Sequence, residues 1–481
     1  MKAIISYYMP SLIDLFTRVQ ALQDNPHEAF EECYAIQQVL IRKIMYVERK
    51  IRQPKSRISE LKKQLAIRQT KEKAQEIKIT IDNLHQQVEE YKNILTIFRS
   101  IGDAVAFTYL SKWDIKPMAF KPSAGFLSGK EGFRVERWFL KKLFSIPVIA
   151  ILNDLTNNLR YGDITIIKEE IPWIIEVKSN KQQVNKKQLE GVQKINQYLW
   201  SDEVEGLYYA GKQSRVSMHS KERNHISQIN DLISQALKNG FSFAEVEKGL
   251  VYYVDVFGGS AKLEESFQRI NEIFSTPIVF GLNAAKYDNR GHYPFTLSLK
   301  DPIAIYAFYA GILKIMLVID FKVIVDKLAL QNLTVEYLDD PNCSLKITNM
   351  NYHDSSHEFS EGYASRHLFG RLFFEFMSLE RNASPIYNPL PCICEISTHS
   401  ALCSNGCRRS DRATYTVWIP GTVASSSKPN TSLRGRISPM PSPFSLAPSL
   451  VPVRQSQLVQ VSGLNDSFPL VVLPGSWNAL T

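Results

Sequence analysis

The hydrophobic positions of the first hundred residues repeat with helical spacing. From Ala29 onward, apolar side chains recur every three or four residues, at Cys33, Ile36, Leu40, Ile44 and Val47. The same spacing returns at Ile77, Ile81, Leu84, Val88, Tyr91, Leu95 and Phe98. This pattern is typical of a coiled coil. Because Pro54 and Ser56 interrupt it, the sequence predicts a coiled-coil helical hairpin over residues 28–100, preceded by a helical segment at residues 1–27.

The hydrophobic pattern changes between residues 121 and 211. A helix is predicted from about Lys130 to Phe144, with Phe133, Glu136, Leu140 and Leu143 on one face. Three short apolar stretches follow, PVIAIL, GDITII and IPWIIEVK, and their β-branched composition indicates strands. A helix at about 185–199 and a strand at 205–211 complete the series. The predicted order of elements is α-β-β-β-α-β.

Charged residues lie inside the most apolar of these predicted strands. Because side chains alternate between the two faces of a strand, Glu176 and Lys178 share one face with Ile174. Pairing of the last two strands in a hairpin would bring Asp163 near Glu176. Burying such charges costs free energy unless they are compensated, and carboxylate oxygens bind divalent cations. The sequence therefore predicts a divalent-cation site that includes Asp163 and Glu176.

Glu136 interrupts the apolar face of the predicted helix. An isolated glutamate at such a position would turn sideways to pair with a basic residue at the surface. Here the strands that carry Asp163 and Glu176 follow directly, so we interpret Glu136 as part of the same acidic group.

Residues 121–211 resemble the PD-(D/E)XK nuclease superfamily, which includes restriction endonucleases and many repair and recombination nucleases. The resemblance rests on Gly162-Asp163, then Glu176-Val177-Lys178, with Glu136 on the upstream helix. Gly162 stands where the motif has proline. Within the superfamily, the segment looks most like the restriction-endonuclease-like domains of uncharacterised bacterial proteins. The implied fold class is α/β, with a restriction-endonuclease-like core between the helical hairpin and a C-terminal α/β extension.

The resemblance also implies a function, a Mg²⁺-dependent endonuclease that hydrolyses DNA phosphodiester bonds, in restriction or phage defence. Asp163 and Glu176 would be the metal ligands, and Lys178 would orient or help to deprotonate the attacking water. Gln193 lies where some members keep a glutamine near the site. Gln188 and Gln197 fit that position as well, and a surface location is the alternative for all three.

The rest of the chain carries weaker signals. Residues 212–382 predict an α/β extension to which the sequence assigns no role. Within it, Pro302 to Ile319 approaches the length of a membrane span, but Lys314 and the charged flanks favour a buried helix. His353 and His357 have the spacing of helical metal ligands, although their polar surroundings favour an ordinary loop.

The last hundred residues differ in composition from the rest. Residues 383–481 are rich in Ser, Pro and Thr, which predicts a low-complexity, disordered tail. The possible zinc ligands there do not have the spacing of a strong finger pattern, so no zinc is expected at Cys392, Cys394, His399, Cys403 and Cys407. A translated frameshift or a non-native extension would also explain the change.

Charge and composition bear on partners and compartment. The net charge of +9 favours a polyanionic partner such as DNA, and the predicted coiled coil favours a homodimer. The basic run around Arg49 to Lys63 is interpreted as a solvated helix face. The start of the chain lacks the pattern of a secretory signal, so a cytoplasmic protein without a membrane span is expected. The alternative function is a non-catalytic coiled-coil binding protein with a nuclease-like fold.

Overall fold

The structure is a computed structural model that describes residues 2–379 with internal gaps, the longest at 178–185, 208–211, 218–221, 258–264, 339–342 and 351–360. Beyond residue 379 it describes residues 456–457 and 471–472. The protein belongs to the mixed α/β class, as the sequence predicts. Every strand pairing in the described residues is antiparallel.

Helices dominate the first part of the chain. They are α1 (Lys2–Asp24), α2 (Phe30–Leu65), α3 (Lys71–Tyr109), α4 (Lys112–Ile115) and α5 (Phe133–Leu143), with a 3-10 turn at Lys116–Ala119. The long helices α2 and α3 pack along each other. Of the apolar positions that predicted them, Leu84 and Tyr91 are partly buried and the other ten are buried. Coiled-coil geometry itself stays a prediction.

The prediction of a helix break at Pro54 was wrong. Pro54 is buried inside α2, and the chain turns back only after Leu65. Proline removes one backbone hydrogen bond, but burial of the apolar stripe on both sides of it stabilises the continuous helix. The next helix begins after Thr70, whose side chain accepts a hydrogen bond from Lys73 N at 3.3 Å.

A small sheet follows α5. It consists of β1 (Ile149–Leu152), β2 (Ile164–Lys168) and β3 (Ile171–Ile175), with β2 in the centre. Helix α6 (Lys186–Ser201) packs on β3, and β4 (Glu203–Glu205) comes next. The described elements follow the predicted order as far as α6. The strand predicted at 205–211 falls largely on residues 208–211, which lie outside the described residues. However, β4 pairs with β5 (Lys212–Ser214) in a separate two-stranded sheet rather than joining β1–β3.

The remainder of the chain contains further sheets and helices. The strands are β6 (Val216–Ser217), β7 (Phe241–Glu247), β8 (Leu250–Val256), β9 (Pro277–Gly281), β10 (Leu313–Asp320), β11 (Leu333–Tyr337), β12 (Cys343–Asn349), β13 (Glu361–Ser365), β14 (Ser456–Gln457) and β15 (Val471–Val472). The helices are α7 (Ile226–Asn239), α8 (Phe295–Ser298), α9 (Pro302–Tyr309), α10 (Phe321–Ala329) and α11 (Arg366–Phe374). The largest sheet has the order β15-β9-β10-β8-β7, β11 to β13 form another sheet, and β14 pairs with β6.

The apolar segment from Pro302 to Ile319 is not the single buried helix that the sequence predicted. Helix α9 ends at Tyr309, and Gly311, with a φ of +71°, leads into the buried strand β10. Glycine adopts this left-handed conformation readily, and the β-branched residues after it favour a strand. Among the described helices, none combines the length and the apolar character needed to cross a membrane.

Several predicted features lie outside the described residues. They are Lys178, the histidines His353 and His357, the cysteine cluster after residue 390, and the predicted disordered tail apart from two short strands. The predictions made for these residues stay predictions.

Candidate functional site

Helices α2 and α3 hold the loop at residues 124–130 in place. Glu48 on α2 is fully buried, and its carboxylate accepts hydrogen bonds at 2.8 Å from the backbone N–H groups of Leu127 and Ser128. Arg99 on α3 donates to two carbonyl oxygens of the same loop, at 2.8 and 3.2 Å. Arg99 also lies 3.9 Å from Glu48. Because charged hydrogen bonds are strong in a buried setting, they fix the path of the loop that carries Lys130.

Lys130 lies between three carboxylates. Its Nζ is 2.9 Å from Glu136 Oε1, 2.9 Å from Asp154 Oδ2 and 3.1 Å from Asp163 Oδ1. Glu136 comes from α5, Asp154 follows β1 and Asp163 precedes β2. The structure therefore places Glu136 and Asp163 in one acidic group, together with a lysine and an aspartate that the sequence reasoning did not select.

Burial and charge set the proton affinities in this cluster. Burial first, and then the negative charge of Asp163, raise the pKa of Glu136 to about 7, although Lys130 opposes the shift. Burial disfavours the charged form of Lys130, but the surrounding carboxylates, Asp154 foremost, hold its pKa above the usual value. Glu136 Oε2 is buried and has no hydrogen-bond partner in the described part of the chain. An unpaired carboxylate oxygen in a group of this kind is a candidate cation ligand.

The β2–β3 hairpin brings the strand ends with Asp163 and Glu176 together. Ile164 pairs with Ile175, so that Asp163 and Glu176 are the residues immediately beyond the paired ends of the two strands. Asp163 N donates to Ile175 O at 2.8 Å, and Asp163 Oδ2 accepts from Val177 N at 2.8 Å. Strand β3 ends at Ile175, three residues before Lys178, where the predicted strand ends, but the expected proximity of the two segments is present.

Gly162 is required by the backbone at this point. Its φ is +62°, and a Cβ atom there would lie 2.6 Å from both Ile175 O and Ile174 Cγ2. We expect Gly162→Ala to lower the free energy of unfolding by about 1–3 kcal/mol, because the side chain adds strain and a backbone clash. Urea denaturation measures the change. Gly125→Ala is the control, since its Cβ would meet no atom within 4 Å. Equal effects of the two changes would contradict this account.

Helix α3 closely approaches the loop that carries Asp154. A Cβ atom on Gly102 would lie 2.0 Å from Leu155 O, so only glycine allows this contact. The next residue, Asp103, accepts hydrogen bonds at 2.9 Å from the backbone N–H groups of Asn157 and Asn158. Asp103 thus stabilises the turn that follows Asp154.

Asp103 makes the stability of this loop depend on pH. Burial is the main cause that raises its folded-state pKa to about 6, above the unfolded value near 3.8. Its stabilising contribution is therefore fully present below about pH 4 and is lost as the pH rises through about 6. We expect the advantage of the wild type over Asp103→Asn, in free energy of unfolding, to shrink by up to about 3 kcal/mol between pH 4 and pH 7. Urea titrations at the two pH values measure this change in free energy. Asp82→Asn is the control, because Asp82 is exposed on the same helix. If the difference in free energy of unfolding between the wild type and Asp103→Asn does not change with pH, the raised pKa of Asp103 is contradicted.

The structure does not place Gln193 at the cluster. Its side chain is exposed on α6, whereas Asn196 on the same helix binds the edge of β3. Asn196 Oδ1 accepts from Ile174 N at 2.9 Å, and its Nδ2 donates to Ile174 O at 2.7 Å. Asn196 therefore orients the strand that leads to Glu176. Sequence spacing alone did not distinguish Gln193 from its neighbours.

A metal ion would need the cluster to rearrange. Within the described residues, no group of three or more His, Cys, Asp or Glu side chains is arranged to hold a metal ion. The oxygens around Lys130 are about 3 Å from its nitrogen, whereas Mg²⁺ binds oxygen at about 2.0–2.1 Å. The donor chemistry fits a hard divalent cation, but the ammonium of Lys130 would have to move away.

Comparisons of the chain with protein-family models, curated proteins and solved structures found no significant match.

Proposed function

We propose that the protein is a metal-dependent endonuclease that hydrolyses DNA phosphodiester bonds. The observation that carries the proposal is the position of Asp163, which is buried and lies with Glu136 and Asp154 around the positive charge of Lys130. The paired ends of β2 and β3 bring the segment of Glu176 next to it. Buried carboxylates need compensation by a cation, and oxygen ligands of this kind suit Mg²⁺. The PD-(D/E)XK motif in the sequence assigns Asp163 and Glu176 to metal binding.

In this proposal Asp163 and Glu176 hold Mg²⁺, and Glu136 orients or supplements them. The ion would lower the pKa of a bound water and offset the charge that develops on the phosphate. The backbone N–H of Val177 holds one oxygen of Asp163 at 2.8 Å, which fixes the carboxylate before any ligand binds. Lys178, two residues after Glu176, keeps its predicted role of positioning the attacking water, and Gln193 stays a prediction from the resemblance.

The remaining expectations belong to the same proposal. The protein would act as a homodimer joined through the hairpin of helices α2 and α3, because cutting both strands of a duplex needs two sites. The excess positive charge would serve DNA binding. A cytoplasmic role in restriction or phage defence fits these features.

Incubation with nucleic acid tests the proposal. Purified protein is mixed with supercoiled, linear and single-stranded DNA, and with RNA of the same sequence, in Mg²⁺ or in EDTA. We expect DNA products in Mg²⁺ and none in EDTA. If no DNA form is cleaved, the proposed DNA endonuclease activity is contradicted. If RNA alone is cleaved, the choice of DNA as the substrate is contradicted.

A second function is supported by the ion pairs of Lys130. These ion pairs already compensate the negative charge of the carboxylates. Such compensation is expected in a protein that keeps a nuclease-like fold for binding and not for catalysis. Melting curves separate the two functions. An enzyme site should gain thermal stability with Mg²⁺, because ligand binding stabilises the folded state. A structural ion-pair network should melt at the same temperature with and without Mg²⁺.

A further inference from the structure

A pocket of about 360 Å³ lies between α2 and α5, next to the acidic cluster. Four cationic side chains line it, and among the described residues its lining holds no carboxylate; the cations are Lys130, Arg134, Arg137 and Lys141. Clefts lined with one sign of charge concentrate the electrostatic field and attract ligands of the opposite sign. Lys130 is already paired with the acidic cluster, so Arg134, Arg137 and Lys141 are the charges that suit the pocket to a polyanion.

An aromatic ring accompanies these charges. Trp138 lines the same pocket and is 57% exposed, although large aromatic side chains are usually buried. Its neighbours on α5 repeat at helical spacing, so that Arg134, Arg137, Trp138 and Lys141 lie on the outer face while Phe133 and Leu140 face the core. Proteins that bind unpaired nucleic acid combine these two features, because bases stack on aromatic rings and phosphates contact the cations.

The pocket is connected to the acidic cluster through Lys130. This side chain lines the pocket, and its Nζ lies 3.1 Å from Asp163 Oδ1. Arg52 on α2 adds a further positive charge beside the loop. Its side chain donates a hydrogen bond to Ser128 O. Arg137 also donates to Gln38 Oε1 on α2 at 3.4 Å, which links the two walls. A chain of phosphates bound along this surface would pass beside Lys130, which contacts the buried Asp163.

We propose that the pocket binds an unpaired DNA strand, with one base stacked on Trp138 and the adjacent phosphates on Arg134 and Arg137. The inference rests on the proposed nuclease function and deepens it, because it names a single-stranded segment as the part of the substrate held beside the cation site. Duplex DNA does not fit this role, since its bases are already stacked on each other.

Binding in EDTA tests the inference without cleavage. The fluorescence anisotropy of a labelled oligothymidine of about 15 nucleotides is measured with the full chain. Trp138→Ala should weaken binding about tenfold, while Trp138→Phe should retain most of it, because the ring is kept. Arg134→Ala/Arg137→Ala should weaken binding and reduce the slope of log affinity against log salt by about 1.4.

The controls carry the same chemical changes elsewhere. Trp200→Ala removes another exposed indole, 48% exposed, and Lys238→Ala/Lys248→Ala removes two exposed cations, all outside the pocket. Neither control should change the affinity.

Binding that does not respond to Trp138→Ala, or a duplex of the same length that binds as tightly, would overturn the inference. Tighter binding of the matching unpaired RNA would overturn the choice of DNA. If the pocket variants lose DNA binding but the wild type cuts no DNA, only the proposed function is contradicted. If the wild type cuts DNA but the pocket variants bind DNA as well as it does, only this inference is contradicted.

Discussion

Asp163→Asn is expected to abolish magnesium-dependent DNA cleavage while the protein stays folded. Asparagine keeps an oxygen that can accept the hydrogen bond from Val177 N, but it lacks the charge that a divalent cation needs. The loss of rate should exceed the roughly 10- to 100-fold that follows removal of an outer-shell partner, because a direct ligand is lost. Initial rates of plasmid nicking measure the effect.

The cost of the same change to stability should be small. The ion pair to Lys130 at 3.1 Å is lost, but 34% of the Lys130 side chain is exposed, and two other carboxylates remain beside it. Asp231→Asn is the matched control, because Asp231 is exposed on α7 and far along the chain from the cluster. Retained cleavage in Asp163→Asn, or equal loss in the control, would contradict the assignment of Asp163.

Glu48→Ala should destabilise the protein more than any other single change considered. It leaves two buried backbone N–H groups of the 124–130 loop without their acceptor, and it removes the carboxylate that lies 3.9 Å from the buried Arg99. Removing one partner of a buried charged pair costs about 3–5 kcal/mol, a large fraction of the stability of a typical domain. The free energy of unfolding in urea measures this cost.

Glu60→Ala is the control for Glu48→Ala. Glu60 lies on the same helix, but 57% of its side chain is exposed, and it forms an exposed ion pair with Arg57. Because exposed ion pairs contribute little, its loss should change stability by less than about 1 kcal/mol. If Glu48→Ala has an equally small effect, Glu48 does not anchor the loop.

The sequence predicted features that depend on local periodicity. The apolar stripes of α2 and α3 are buried as expected, because a long helix must cover one face whatever lies against it. The predicted alternation of faces is present in β3, where Ile174 is buried and Trp173 is 39% exposed, although the alternation did not say which face is the core. The proximity of Asp163 to the segment of Glu176 followed from the same alternation and from the short hairpin.

Features that depend on long-range contacts were missed. The loop partners of Glu48 lie 79 and 80 residues away, and no local pattern reports such a distance. A signal was nevertheless present, since Glu48 interrupts the apolar stripe of α2 between Val47 and Ile51 just as Glu136 interrupts that of α5. Lys130 and Asp154 gave no comparable signal, because charged residues beside a helix or in a turn are usually exposed.

The claim that a divalent cation binds beside Asp163 is tested most directly by replacing Mg²⁺ with Fe²⁺ in the presence of ascorbate. Iron held in such a site generates radicals that break the nearby backbone, and mass spectrometry locates the breaks. The account predicts breaks near Asp163 and Glu176 that Mg²⁺ suppresses and that Asp163→Asn eliminates. An unbroken chain, or breaks confined to other segments and unchanged in Asp163→Asn, would contradict it.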